Sequence, residues 1–167
     1  MVRSAGAGDI PAITDIYRHW VETSTSTFEL EAPSDDEMQR RFEGYLEAGY
    51  PYLAATVGER VAGYAYAGAY RPRPAYRFTA ENSIYVSPDA VGTGIGRLLL
   101  RALLDRLEAD GYRSVIAVVG DPDANRASIA LHQSAGFREF GRAKAIGFKF
   151  ERWLDVAYLQ LRLADSG

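Results

Sequence analysis

The stretch Ser83-Ile84-Tyr85-Val86-Ser87-Pro88-Asp89-Ala90-Val91-Gly92-Thr93-Gly94-Ile95-Gly96-Arg97-Leu98-Leu99-Leu100 decides how this chain is read. A short apolar strand runs into a Pro-Asp turn, alternating glycines follow, and a leucine-rich helix begins. Glycine permits positive φ and close backbone approach, but within regular structure it costs roughly 0.5–1 kcal/mol relative to alanine. Glycines at 92, 94 and 96 therefore call for a compensating role where a helix must start. Two readings stand. One is a plain strand-to-helix turn. The other is a cradle whose backbone N–H groups, backed by the helix dipole, receive a phosphate, with Arg97 adding a mobile cation.

Two better-known phosphate loops do not fit. No Gly-x-x-x-x-Gly-Lys-Ser/Thr run occurs, so this is not a P-loop. A dinucleotide fingerprint has Gly-x-Gly-x-x-Gly near the first strand, whereas here Arg97 stands at the third glycine and the loop lies past mid-chain.

Working outward, residues 78–86 read as the strand that feeds the turn, preceded by the loop Tyr70-Arg71-Pro72-Arg73-Pro74-Ala75-Tyr76-Arg77. Residues 52–57 and 61–69 read as strands joined by a tight turn at Gly58-Glu59-Arg60. Residues 2–5 suit a short edge strand. Asp9 is expected to cap a helix with Pro11 in its first turn. Ile10, Ile13, Ile16, Tyr17 and Trp20 carry that helix to about Glu22. The segment from Thr23 to Phe28 is polar and β-branched, a loop with one exposed aromatic. Ser34-Asp35-Asp36-Glu37 matches a capping box that opens a second helix, ending about Ala48.

Beyond the glycines, Ile95, Leu98, Leu99, Ala102, Leu103 and Leu107 form an amphipathic helix ending near Gly111. Val115-Ile116-Ala117-Val118-Val119 is continuously apolar, as expected of a strand covered on both faces. A short helix at about 126–134 stops at Gly136, and strands near 138–145 and 153–163 complete the chain. The order of elements predicts a mixed α/β sheet in one domain spanning residues 1–167.

Composition narrows the chemistry. The net charge of −3, from 19 basic and 22 acidic residues, gives no electrostatic support for nucleic-acid binding. No apolar run approaches the roughly 20 residues of a membrane helix. The N-terminus lacks an apolar signal core, so a cytoplasmic location is expected. Cysteine is absent, which excludes disulfides, thiolate nucleophiles and thiolate metal sites. With only His19 and His132 as imidazoles, no metal site is expected.

At this point the chain resembles the GNAT superfamily of N-acetyltransferases. Its members place an Arg/Gln-x-x-Gly-x-Gly/Ala loop after a central strand and bind the pyrophosphate of acetyl-CoA there. Val91-Gly92-Thr93-Gly94-Ile95-Gly96 fits apart from Val91 at the usual Arg or Gln. Downstream, Asn125-Arg126-Ala127-Ser128 opens a helix that closes as Leu131-His132-Gln133-Ser134-Ala135-Gly136-Phe137, the second family signature in the right order. Four further segments narrow the resemblance to the phosphinothricin and methionine sulfoximine/sulfone acetyltransferase branch. They are Glu22-Thr23-Ser24-Thr25-Ser26-Thr27-Phe28, Ala62-Gly63-Tyr64-Ala65-Tyr66-Ala67-Gly68, Thr79-Ala80-Glu81-Asn82-Ser83-Ile84-Tyr85-Val86, and Gly147-Phe148-Lys149-Phe150-Glu151-Arg152-Trp153-Leu154-Asp155-Val156.

The resemblance implies a mostly antiparallel twisted sheet, splayed at the acetyl-CoA site and flanked by helices. It implies acetyl-CoA as co-substrate, held by Ile84, Tyr85, Val86, Gly92, Thr93, Gly94, Ile95, Gly96, Arg97, Asn125, Ser128 and Ser134. It implies an acceptor pocket of Phe28, Arg71, Pro72, Arg73, Tyr76, Glu81, Asn82 and Ser83, and a homodimer with Phe148, Phe150, Trp153 and Leu154 as either its apolar surface or core. Acetyl transfer needs a neutral amine, yet an α-amino group with pKa about 7.7–8.0 is largely protonated near neutrality. Glu81 matches the carboxylate that the branch uses as base; on its own it reads as an exposed strand glutamate. His132 matches the branch's imidazole and is expected to protonate the departing thiolate, or else to be a surface histidine.

Arginines between prolines suit a doubly anionic small acceptor through bidentate pairing, although a solvated basic loop reads the same way. The expected reaction is direct attack by the α-amino group of a phosphinothricin-, methionine sulfoximine- or methionine sulfone-like amino acid on acetyl-CoA, with no acyl-enzyme. A polyamine, peptide or protein N-acetyltransferase and a non-catalytic acetyl-CoA-binding module are the alternatives.

Overall fold

The computed structural model describes residues 1–163. Among them, strands β1 (Val2–Ser4), β2 (Tyr52–Val57), β3 (Arg60–Ala69), β4 (Thr79–Val86), β5 (Ser114–Gly120), β6 (Arg138–Lys149) and β7 (Arg152–Arg162) form one sheet in the order β1-β2-β3-β4-β5-β7-β6. The β4–β5 pair is parallel and the other pairs are antiparallel. Helices α1 (Ile10–Thr23), α2 (Asp35–Glu47), α3 (Ile95–Ala109) and α4 (Arg126–Ser134) cover it.

The helix periodicities dictate the layers. Leu99, Leu100, Leu103 and Leu107, none of them exposed, turn one stripe of α3 onto a sheet face of Ala65, Ala67, Ala80, Val115, Ala117 and Leu159. The alanines on that face leave room for a leucine helix to lie close. On the opposite face, Ile10, Ile13, Tyr17 and Val21 of α1 and Met38 and Phe42 of α2 pack on Tyr52, Ala54 and Tyr64. Strand alternation thus sorts β4 by parity. Ala80, Asn82 and Ile84 sit opposite Ala69, Ala67 and Ala65 on the α3 face, while Glu81, Ser83 and Tyr85 sit opposite Gly68, Tyr66 and Tyr64 on the α1/α2 face.

Several expectations need correcting. Asp9 does not cap α1 with its side chain. Its carboxylate receives both Arg3 guanidinium nitrogens at 2.7 Å and the Gly6 N–H at 2.8 Å, tying β1 to the helix start. The capping box is half formed: Ser34 Oγ accepts from the Glu37 N–H, but the Glu37 carboxylate turns to Arg40 and Arg41. Strand β5 is not covered throughout, because Val118 is 38% exposed where no element faces it. Strand β6 extends to Lys149, beyond the expected end, and meets β7 through a two-residue loop, Phe150-Glu151, with φ of 50° and 58°. Both values belong to the tight hairpin turn that Asn-Gly normally announces. Leu154, expected on the apolar surface or in the core, is in the core at 1% exposure.

Leu103→Ala should cost about 2–5 kcal/mol of stability in equilibrium urea unfolding. The exposed neighbour Leu98, changed to Ala, should stay within about 0.5 kcal/mol of the parent.

Candidate active site

The parallel β4–β5 ladder runs from Thr79↔Ser114 to Asn82↔Ala117 and stops. Beyond that point β4 remains paired to β3 as far as Val86, and β5 to β7 as far as Gly120, but the two inner edges part. The gap opens into a cavity of about 900 Å³, lined by Asn82–Val86 of β4, Ala117–Val119 of β5, residues 90–97 of the glycine turn and one side of α4. At its rim the Trp20 indole N–H donates to the Val86 carbonyl at 2.8 Å, fixing α1 to the end of β4.

The glycines divide their work. Gly92 (φ +80°) and Gly94 (φ +91°) adopt the left-handed region, with Gly94 as the residue before α3. Alanine at either position would be strained by about 1–2 kcal/mol. Gly96 has ordinary helical φ; a Cβ there would stand 3.3 Å from the Leu131 side chain, between α3 and α4. The N-terminus of α3 opens onto the cavity with the dipole's positive end, its Arg97 N–H donating to the Gly94 carbonyl at 3.1 Å. The Arg97 side chain is exposed beside it. Ser26 Oγ and Asn82 Oδ1 are buried without hydrogen-bond partners, and both residues line this cavity. Such orphaned atoms cost about 1–3 kcal/mol each unless a ligand satisfies them. An extended ligand carrying a diphosphate and amide groups, as acetyl-CoA does, fits this set of donors.

His132 lies on the α4 side of the gap at 5% exposure, with Phe137 edge-on at 5.0 Å. Its Nδ1 is 2.8 Å from the Ser128 carbonyl and its Nε2 is 2.9 Å from Asn82 Nδ2. A carbonyl oxygen accepts and an amide nitrogen donates, so with the carboxamide assigned in this orientation the ring is neutral with the proton on Nδ1. Burial pushes its pKa below the ordinary 6.5, with the Ser128 carbonyl opposing. Glu81, the residue before Asn82, faces the other side of the sheet. There burial raises its carboxyl pKa and the Arg71 guanidinium pulls it back. The surrounding tyrosines are also neutral; burial pushes the Tyr17 phenol up to about 12.

The loop between α1 and α2 forms a wall on the Glu81 side. Lys149 is 3% exposed, and its ammonium donates to the carbonyls of Ser24 and Thr27, each at 2.8 Å. Asp121, buried with φ 46°, accepts from Thr25 Oγ1 at 2.7 Å and from Arg152. Tyr17 OH lies 2.8 Å from Thr27 Oγ1. The Phe28 ring lies against Gly120 and Gly147, where a Cβ on either glycine would overlap it. Asn125 Nδ2 donates to the Gly120 carbonyl at 2.7 Å and joins β5 to α4; its side chain makes no cap bond.

Of the residues expected to hold acetyl-CoA, eleven line the cavity; Ile95 instead is buried in the core beneath the turn. Asn82 and Ser83 line it as well, whereas Glu81, Phe28, Arg71, Pro72, Arg73 and Tyr76 lie outside. Arg71 and Arg73 are exposed, the former stacked on Tyr70 at 5.0 Å, and Tyr76 meets Tyr70 edge-on at 5.8 Å. Arg77 is occupied locally by the Phe78 ring and the Pro74 carbonyl. Sequence reasoning missed Trp20, Asp121 and Lys149 as site supports. Asp121-Pro122 directly after an apolar strand was the one local signal among them.

A parted parallel pair with a glycine turn at the foot of the gap is the acetyltransferase arrangement, and the chain belongs to the Acetyltransferase (GNAT) family, which residues 13–137 match. It is 50% identical over 159 residues to a phosphinothricin N-acetyltransferase of Alcaligenes faecalis, covering 95% of this chain and 80% of that one. It is 40% identical over 165 residues to an L-methionine sulfoximine/L-methionine sulfone acetyltransferase of Pseudomonas aeruginosa, covering 97% and 94% respectively. A phosphinothricin acetyltransferase from Sinorhizobium meliloti, solved with acetyl-CoA, superposes with a TM-score of 0.95 at 48% identity, covering 99% of this chain and 89% of that one.

Because His132 is buried neutral, the unfolded chain binds a proton that the fold excludes between the lowered pKa and 6.5. Stability from this residue is present above that window and falls as pH drops through it. The stability advantage of the parent over His132→Gln, from urea unfolding at about pH 7.5 and about pH 5.5, should therefore shrink in acid.

Proposed function

We propose that this chain transfers the acetyl group of acetyl-CoA to the α-amino nitrogen of a small amino acid whose side chain ends in a phosphinate, sulfoximine or sulfone. The observation that carries the reading is the parted β4–β5 edge, with the glycine turn at its foot and Glu81 and Asn82 on opposite faces of one strand. The relatives acting on phosphinothricin and on methionine sulfoximine or sulfone support the acceptor class.

Acetyl-CoA supplies the activated acyl group. The turn's amides and Arg97 hold its diphosphate, and Ile84, Tyr85 and Val86 align its chain along the bare edge of β4. Arg71 and Arg73, with Tyr76 beside them, take the acidic groups of the acceptor. Glu81 removes a proton from the ammonium, a task its raised pKa favours, since a base poised nearer neutrality transfers protons more effectively. His132 supplies the proton to the departing sulfur, and for that it must be protonated on Nε2. With no cysteine in the chain, no thiol is present to form an acyl-cysteine intermediate.

On the β6–β7 hairpin, Phe148, Phe150 and Trp153 are each more than half exposed, with Phe148 and Trp153 rings 5.2 Å apart. A second copy of this chain covering that patch is part of the proposal, with the cytoplasm as its location. Among the described residues no helix is long and apolar enough to cross a membrane.

Free-thiol release from acetyl-CoA should follow addition of phosphinothricin, methionine sulfoximine or methionine sulfone, with initial-rate lines that intersect. Release with spermidine or peptides but none of these amino acids would overturn the acceptor class. Glu81→Gln should lower kcat by about 10²–10⁴ with acetyl-CoA still bound. Arg73→Ala should raise the acceptor KM and leave that of acetyl-CoA unchanged.

A further inference from the structure

We propose that Asn82 is a positioning residue that partners Nε2 of His132 in both of its charge states. Its carboxamide N–H holds Nε2 as an acceptor in the resting protein, and the same carboxamide, turned over, holds Nε2–H once the ring is charged. Only the activity arm of the test rests on the function proposed above.

The Ser128 carbonyl, 2.8 Å from Nδ1, can only accept, so Nδ1 keeps its hydrogen in either charge state. A neutral ring then presents a lone pair at Nε2, and the only half of an asparagine carboxamide that can meet it is the NH2, found at 2.9 Å. This leaves Asn82 Oδ1 buried and unpartnered. A half turn of the carboxamide exchanges the two ends, and Oδ1 then accepts from a protonated Nε2. The neutral and charged imidazoles thus each have a matching partner without displacing a neighbour.

The surroundings leave Nε2 to Asn82. Both residues are more than nine-tenths buried, both line the cavity, and the Phe137 ring closes another side of the imidazole. Glu81, the nearest titratable residue along β4, faces the opposite side of the sheet with Arg71 acting on it. Burial holds the His132 pKa down and the Ser128 carbonyl opposes it. In the reaction, Nε2 takes a proton shed by the amine nitrogen and passes it to the sulfur as the carbon–sulfur bond breaks, ending neutral again. Glu81 accepts the other ammonium proton.

The test is a ¹H–¹⁵N correlation, long-range for the imidazoles, on whole protein labelled at histidine and asparagine, titrated with acid, for the parent, Asn82→Asp and Asn82→Leu. The parent should show a protonated Nδ1 and a bare Nε2 at pH above about 7.5, with the Asn82 carboxamide protons shifting at the same midpoint as the imidazole. Asn82→Asp, whose carboxylate can only accept, should raise that midpoint by about 1–3 pH units. Asn82→Leu, which leaves a charged Nε2–H without a buried acceptor, should lower that midpoint and lower kcat about 10–100-fold, more than it changes the acetyl-CoA KM.

A parent spectrum with Nε2 protonated above neutrality, an unmoved midpoint in Asn82→Asp, or carboxamide protons that ignore the titration would each overturn the proposal. Should a variant fail to fold, the parent titration alone decides. If the spectra behave as expected but no amino acid is acetylated, the pairing stands and the proposed reaction fails.

Discussion

Two parallel strands that pair for four residues and then separate leave main-chain donors and acceptors facing a gap, a costly arrangement in any buried sheet. Everything around the site answers to that separation. Strand β3 keeps β4 in place on its outer edge, β7 does the same for β5, and the Trp20 indole occupies the Val86 carbonyl at the tip. What stays bare is the pair of inner edges. A ligand with an extended, amide-bearing chain completes them as an added strand would, and the positive end of α3 lies where such a chain would carry its phosphates.

The same separation turns an elementary property of strands into a division of labour. Consecutive side chains on β4 project to opposite faces, so Glu81 and Asn82 reach different compartments although they are neighbours in the chain. One is lined by tyrosines, α1 and the loop before α2; the other by α4 and its imidazole. Each group is tuned by its own surroundings. Burial raises the Glu81 carboxyl against the pull of Arg71, and burial lowers the His132 imidazole against the Ser128 carbonyl. A carboxylate and an imidazole are thus held on opposite faces of one strand.

The parts of this arrangement legible in the sequence are those written locally. Leucines at helical spacing announced α3, alternating glycines announced the turn, and the segments Asn125–Ser128 and Leu131–Phe137 announced the two ends of α4. The rest depends on residues distant in the chain. Nothing within β4 says that Asn82 meets a histidine fifty positions away. Nothing near Lys149 says that its ammonium would leave solvent for the carbonyls of Ser24 and Thr27. The β6–β7 hairpin was cut short because Phe150 and Glu151 take left-handed φ without the glycine or asparagine that usually marks such a turn. Continuous apolarity in Val115–Val119 reads as two covered faces, but one of them opens on the cavity at Val118. An apolar lining and an apolar core look alike in one dimension.

Lys149 carries one more implication. Its buried ammonium grips the loop between α1 and α2 by main-chain oxygens, and every amino acid supplies those alike. The fastening is therefore blind to the side chains it secures. The side chains of Ser24 and Ser26 can change while the loop keeps its course, so its surface chemistry can drift without rebuilding the frame.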